Sequence, residues 1–274
     1  MYGAIIGDIA GSSYEFSPTK EKDFMMFGPR SRVTDDSVMT VAVAEALLEM
    51  GDMNGIIPGG MDAKATETLR VAFAKSMKKW GRRYPDAGYG GRFYRWLKLE
   101  DYNAYNSFGN GSAMRVSPAG WVADTIEKTR YIAAVSSMAT HDHPEGIKGA
   151  ESVASAIFLA RKGATKEEIR KYIEEEFGYG LGRTTEEIRP GYRFDVTCQG
   201  SVPEAIICFL EGEDYEDVIR TAVSLGGDAD TQAAIAGSIA EAFYGVPAWM
   251  KEEAKDFIPE DMQGVIDEFC GKVM

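Results

Sequence analysis

Between Ser37 and Met50 apolar residues occupy almost every side of a helical wheel: Val38, Met39, Val41, Ala42, Val43, Leu47 and Leu48 leave little polar face for water. Such a helix belongs inside a bundle of other helices, not on a surface. The rest of the chain supplies that bundle. Helical periodicity runs through Ala63 to Trp80, Ile126 to Ala139, Glu145 to Arg161, Lys166 to Glu176, Val202 to Glu211, Tyr215 to Ser224, Thr231 to Tyr244, Pro247 to Phe257 and Asp261 to Cys270, and few stretches alternate with period two. The breaks at Gly51 to Gly60, Asp86 to Gly91, Gly109 to Gly111, Gly178 to Gly200 and Gly226-Gly227 are rich in glycine and proline, yet none reads as an interdomain linker. The expectation is an all-α fold, one compact multi-helix domain over residues 1–274, with 45% hydrophobic residues to fill its core.

Charge narrows the partners. Forty-three acidic residues against 30 basic ones give a formal charge of −13, so the surface as a whole repels nucleic acid and anionic lipid. Nucleic acid is expected only as a modified substrate, and a phosphate-bearing ligand must be neutralised locally. Cys198, Cys208 and Cys270 are odd in number and widely spaced, which suits reduced, buried thiols. The first residues carry no basic stretch and reach Asp8 before a long apolar run forms, and nothing approaches the roughly 20 apolar residues of a membrane span. A cytoplasmic protein with no membrane contact is expected.

Two short clusters carry the chemistry. Thr34-Asp35-Asp36-Ser37 stands where the buried helix begins, and Gly226-Gly227-Asp228-Ala229-Asp230-Thr231 opens another helix lined by Ala233, Ala234, Ala236, Gly237 and Ala240. Helix capping explains one side chain at each place. It does not explain two acids side by side, which repel unless a cation or hydrogen bonds hold them. Oxygen-only sets of Asp and Thr, without His or Cys, suit hard cations better than zinc. Caps and metal ligands both remain open readings on spacing alone.

Three further segments stand out. Gly3, Gly7, Gly11 and Glu15 recur every fourth residue, which is a helix face and not the GxGxxG of a dinucleotide loop. Asp8 falls angularly close to Glu15 on that face. Its glycines read as a packing groove, with Glu15 at the end either solvated or facing the metals. Asn106-Ser107-Phe108-Gly109-Asn110-Gly111-Ser112-Ala113-Met114-Arg115 is a small-residue loop leading into a short helix, whose backbone N–H groups can take phosphate oxygens while Phe108 stacks on a ring. Both histidines lie in His141-Asp142-His143; with no third nitrogen or thiolate partner, ligand contact or a loop hydrogen bond is preferred to zinc.

Taken together and in this order, the motifs resemble the ADP-ribosylglycohydrolase family over nearly the whole chain. The resemblance implies an all-α fold holding two divalent cations, Mg²⁺ or Mn²⁺. It assigns the metal ligands to Thr34, Asp35, Asp36, Asp228, Asp230 and Thr231, and an active-site carboxylate to Glu15. It places Ser107, Phe108, Gly109, Asn110, Gly111, Ser112 and His141 around ADP-ribose. Ser37 departs from the family pattern, where threonine is usual, but keeps a hydroxyl. Segments 51–60 and 86–105 have no clear counterpart and are expected to border the substrate entrance.

The activity so implied is hydrolysis of the glycosidic bond between ADP-ribose and a modified side chain, arginine first, in a protein or a small conjugate. The metals would bind ribose hydroxyls and a water, with Glu15 or Asp36 moving the proton. Two rivals stand beside it. A two-metal phosphohydrolase would cut the pyrophosphate instead, and a non-catalytic binder would hold ADP-ribose without turnover.

Overall fold

The structure is a computed structural model that describes residues 1–52 and 63–274. Helices α1 (Tyr2–Ser12), α2 (Asp35–Met50), α3 (Ala63–Arg83) and α4 (Gly91–Lys98) precede two one-turn pieces, α5 (Gly111–Met114) and α6 (Ala119–Val122). Next come α7 (Ile126–Ser137), α8 (Pro144–Arg161), α9 (Lys166–Phe177), α10 (Thr185–Ile188) and α11 (Cys198–Glu211). The chain closes with α12 (Tyr215–Val223), α13 (Ala229–Tyr244), α14 (Ala248–Lys255) and α15 (Glu260–Val273). Among the described residues the one extended pairing is an isolated antiparallel bridge between Gly109 and Thr197, so the fold is all-α as the periodicity requires.

Every helix expected from apolar spacing is present, and side-chain caps mark the starts of α2, α7, α8, α9, α11 and α12. Helix α11 begins at Cys198, a turn before Val202, because the Thr197 side chain accepts the Gly200 N–H. Helix α4 is an addition. It buries Phe93, Trp96 and Leu97, an i, i+3, i+4 triplet too short to register between glycines. Helix α1 stops at Ser12, so Glu15 stands beyond its end in a bend and does not continue the glycine face.

Helix α13 is the axis. All its residues from Ala229 to Glu241 are buried, and it packs against α1, α12, α11 and α8. Its contact with α1 is backbone on backbone. A Cβ on Gly7 would overlap the Ala233 carbonyl, one on Gly3 the Gly237 carbonyl, and one on Gly11 the Asp230 backbone. Glycine here removes the side chains that would hold two helices apart. Asp8, next to Gly7, is thereby brought against Asp230 at the start of α13.

Helix α2 is buried from Asp36 to Leu47 except at Glu45, and it packs on α3, α15 and α1. The 53–60 part of the glycine-rich break after it lies outside the described residues. Among the described residues no helix is long and apolar enough to cross a membrane. Cys198 and Cys208 are free and buried, whereas Cys270 is only partly covered, a correction to the expectation that all three pack inside.

Candidate metal centre and substrate cavity

Thr34 is the N-cap of α2: its backbone is extended and its Oγ1 accepts the Asp36 N–H at 3.3 Å. The two acids after it are left free of that task. Asp8 ties α1 to the same place. Its Oδ2 accepts the N–H of Thr34 at 2.8 Å and of Ser37 at 3.0 Å as well as the Ser37 hydroxyl, and its Oδ1 accepts the Thr34 hydroxyl at 2.6 Å. Ser37 therefore performs a bracing role with its hydroxyl. Because Thr34 spends its proton on Asp8, lone-pair density on Thr34 Oγ1 stays available to a cation.

The second cluster meets the first directly. The Thr231 hydroxyl donates to Asp36 Oδ2 at 3.3 Å across 195 positions of sequence. Asp230 Oδ1 accepts the Thr231 N–H at 2.9 Å, and Asp228 Oδ2 accepts from Asn110 Nδ2 at 2.7 Å. Two carboxylate groups result, Asp8 with Asp36 and Asp230, and Glu15 with Asp228 and Asp230, the oxygens of each lying within 4.8 Å of one another. Asp230 belongs to both.

This geometry is costly without a counterion. Burial first, then the neighbouring carboxylates, pushes Asp36 and Asp230 well above the usual range. Asp35 is pushed up to about 8 by burial and by Asp8 and Asp228. Glu15 rises to about 7 through partial burial and the Asp228 charge, with Arg32 opposing. Asp8 and Asp228 are raised by burial, against the hydrogen bonds they accept. Asp36 Oδ1 is buried without any hydrogen-bond partner, although an unsatisfied carboxylate oxygen in the interior costs several kcal/mol in rough terms. An orphaned oxygen in a ring of Asp and Thr donors fits a hard divalent cation. Asp8, with both oxygens engaged in four hydrogen bonds, fits a brace better than a ligand.

The acids form the floor of a cavity of about 460 Å³. Of the residues expected from sequence, Glu15, Asp35, Asp36, Asp228, Asp230, Thr231, Ser107, Gly109, Asn110, Gly111 and His141 line it. Thr34 lies beneath the floor, 2% exposed. Two expected lining residues are placed elsewhere. Ser112 is fully buried and donates to the Gly146 carbonyl at 2.7 Å, holding α5 to α8, while Phe108 turns outward with its ring 5.3 Å from that of His143. His143 itself caps α8, accepting the Glu145 N–H on Nδ1.

Loop 107–110 is held by the segment before α11: Asn110 N–H donates to the Val196 carbonyl at 2.8 Å, and Cys198 N–H to that of Phe108 at 3.0 Å. Gly109 N–H is spent on Ser107 Oγ at 3.2 Å. These two loop amides are thus engaged inside the protein, which narrows the phosphate cradle expected from the loop as a whole.

Several lining residues escaped the sequence reading. Gly88 has φ +111, and a Cβ there would stand 3.3 Å from Asp35 Oδ1; with Gly90, Gly91, Arg92, Phe93 and Tyr105 it forms one wall, so the 86–105 segment does border the cavity. Phe16 and Phe194, exposed by 78% and 49%, stack 6.1 Å apart at the rim. Arg115 lines the far side, 1% exposed. Asp8 had a usable signal, being the one acid in an otherwise apolar helix. A larger cavity of about 540 Å³, lined among others by Leu47, Trp121, Arg161 and Lys272, gathers no such acid cluster and is not assigned the chemistry.

Comparison with known proteins identifies the family and the fold. The family model described as ADP-ribosylglycohydrolase matches residues 1–273. ADP-ribosylhydrolase ARH3 of Homo sapiens is 27% identical, over 96% of this chain and 86% of that protein. ADP-ribosylarginine hydrolase Tri1 of Pseudomonas putida (strain GB-1) is 23% identical, over 93% of this chain and 73% of its own length. A solved structure titled as an ADP-ribosylglycohydrolase-related protein complex superposes with a TM-score of 0.68 at 23% identity, covering 96% of this chain and 93% of that one.

Proposed function

Because the chain belongs to the ADP-ribosylglycohydrolase family, we propose that it is a metal-dependent hydrolase releasing ADP-ribose from a modified side chain, with arginine the first substrate to test. The observation that carries the reading is the meeting of Asp36 and Asp230, from helices far apart in sequence, under one cavity that Glu15 also lines. Two divalent cations, Mg²⁺ or Mn²⁺, would be held by Thr34, Asp35, Asp36, Asp228, Asp230 and Thr231. When bound they supply Lewis-acid chemistry at the sugar and lower the pKa of water.

The chain's own groups supply the rest. Cleavage at the ribose anomeric carbon passes through an oxocarbenium-like state, so a proton has to leave the attacking water or reach the departing group. Glu15, partly buried and lining the cavity beside Asp228 and Asp230, holds or moves that proton on its carboxylate. Asn110 fixes Asp228, and Thr231 fixes Asp36, so neither acid swings when charge develops. Phe16 and Phe194 stack at the mouth and offer an apolar surface to a ligand on the Glu15 side.

The test is product analysis with an ADP-ribosyl-arginine peptide and Mg²⁺ or Mn²⁺ present. Free ADP-ribose and unmodified arginine are expected, abolished by a chelator. AMP with a peptide still carrying ribose phosphate on its arginine would replace this reading by phosphohydrolysis, and tight ADP-ribose binding with no release would make the chain a binder.

A further inference from the structure

Both nitrogens of His141 have a defined setting, and the hydrogen bonds behind the ring decide which one carries the proton. Arg115 is almost wholly buried, and its Nη2 lies 2.8 Å from Thr140 Oγ1. A guanidinium has no acceptor, so this bond runs one way, from Arg115 to the threonine oxygen. Thr140 Oγ1 also lies 2.7 Å from His141 Nδ1. With a lone pair occupied by Arg115, the hydroxyl's own proton is free to point at that nitrogen. Arg115 Nη2 stands 3.5 Å from the same Nδ1, a second donor on one atom. An N–H on Nδ1 would point toward the Arg115 N–H groups; a lone pair there accepts the Thr140 hydroxyl proton and faces the guanidinium favourably.

The opposite edge of the ring looks into the cavity. His141 lines it, and Cβ atoms built on Gly111 and Gly109 would sit 3.1 and 3.5 Å from Nε2, so these two glycines leave that nitrogen uncovered. The backbone of His141 is fixed on both sides, its N–H on the Ser137 carbonyl at 2.7 Å and its carbonyl on the Ser137 hydroxyl at 2.8 Å. Ring position and ring tautomer are thus set from the same side of the site.

We infer that Arg115 and Thr140 are positioning residues that lock His141 as the neutral Nε2–H tautomer, making it a fixed hydrogen-bond donor to an anionic phosphate oxygen in the cavity. Neutrality has its own causes: burial first, then the Arg115 and Arg92 charges, drive the imidazole well below its usual pKa. Tyr105, 6.0 Å away, keeps its phenol proton because burial pushes it up to about 12. The other tautomer would turn a lone pair toward the anion and repel it. In an acidic chain this donor answers part of the need for local neutralisation, without adding a cation that the nearby carboxylates would capture. The ligand half of the inference rests on the ADP-ribose reading above; the tautomer half does not.

The experiment is ¹⁵N–¹H correlation of the imidazoles in the substrate-free protein, wild type and Thr140→Val, with Thr140→Ser as the conservative control. Only two histidines contribute, and a His143→Gln variant assigns them. Wild-type His141 is expected as one Nε2–H species from pH 6 to 8, Thr140→Val as a mixture, and Thr140→Ser as wild type. With ADP-ribosyl-arginine, Thr140→Val should raise KM by about tenfold, the scale of one hydrogen bond to a charged group, with kcat held within about twofold. An Nδ1–H or protonated ring in the wild type, or a spectrum unmoved by Thr140→Val, overturns the inference. Wild-type spectra decide the point even where a variant does not fold. Absence of any ADP-ribose release with the expected spectra would instead overturn the proposed function alone.

Discussion

The floor and the rim of the cavity are built on opposite principles. On the floor and just beneath it, Asp36, Asp228 and Asp230, with Asp8 behind them, are buried at the ends and flanks of α1, α2 and α13 and tied by hydrogen bonds, with glycine letting the helices touch. At the rim, Phe16, Phe194 and Val196 are about half exposed or more, on segments between helices. The floor spends stability to hold charges together and the rim spends almost none. A centre that has to hold like charges at fixed spacing needs rigid helices, whereas a mouth that admits varied substrates can be carried on loops.

Four measurements break or sharpen that contrast, the largest expected effect first. Gly7→Ala should destabilise the protein by about 3 kcal/mol or more, since the added methyl meets backbone and not a movable side chain. Gly90→Ala at the rim, where a Cβ meets nothing within 4 Å, should cost less than about 1 kcal/mol. Urea unfolding compares the two, and equal losses would dissolve the distinction.

Asp36→Asn and Asp230→Asn should each lower hydrolysis by at least about a hundredfold, near 2.7 kcal/mol in barrier. The same substitutions should raise the melting temperature of the chelator-treated protein by roughly 2–4 °C for each 1 kcal/mol of repulsion removed. A variant that loses activity and also loses metal-free stability would show that these carboxylates hold the fold and not a cation.

The third test is pH. Folded-state values near 7 for Glu15 and 8 for Asp35 lie above their ordinary 4.5 and 3.8, so the folded protein binds more protons than the unfolded chain between about pH 4 and 8. Stability in chelator should fall as pH rises through that window, and added Mg²⁺ or Mn²⁺ should flatten the slope by replacing protons with cations. Denaturant midpoints at pH 5 and 8 check it; a metal-free protein more stable at pH 8 contradicts the floor described here. The smallest effect belongs to the rim: Phe16→Ala or Phe194→Ala should raise KM by about threefold, the scale of one aromatic contact, with melting unchanged. A collapse in kcat would move these rings into the chemistry.

The same contrast explains what could be read from the sequence. Doubled acids at Asp35-Asp36 and Asp228-Asp230 exceed any capping need, and Gly3, Gly7 and Gly11 repeat at a helical period, so the floor announced itself. Its distances did not, because the 195-residue gap between Asp36 and Thr231 closes only through packing. Asp8 was visible but read as a neighbour of Glu15, and helix α1 ends three residues before that glutamate. The rim left little local trace. Phe194 and Val196 sit in a glycine-bounded stretch without periodicity, and Phe108, turned outward, packs its ring against His143, a partner that no spacing rule predicts.

The pairing of α1 with α13 also has a history in time. Gly3 N–H is held by the Glu241 carboxylate at 2.9 Å, 238 positions away, and contacts of such reach form late because a long loop of chain must close first. During synthesis the glycine-notched face of α1 therefore waits uncovered while more than two hundred further residues are made, which leaves it a target for chaperones and for self-association. Catalytic competence in this molecule is, on that account, among the last things a ribosome delivers.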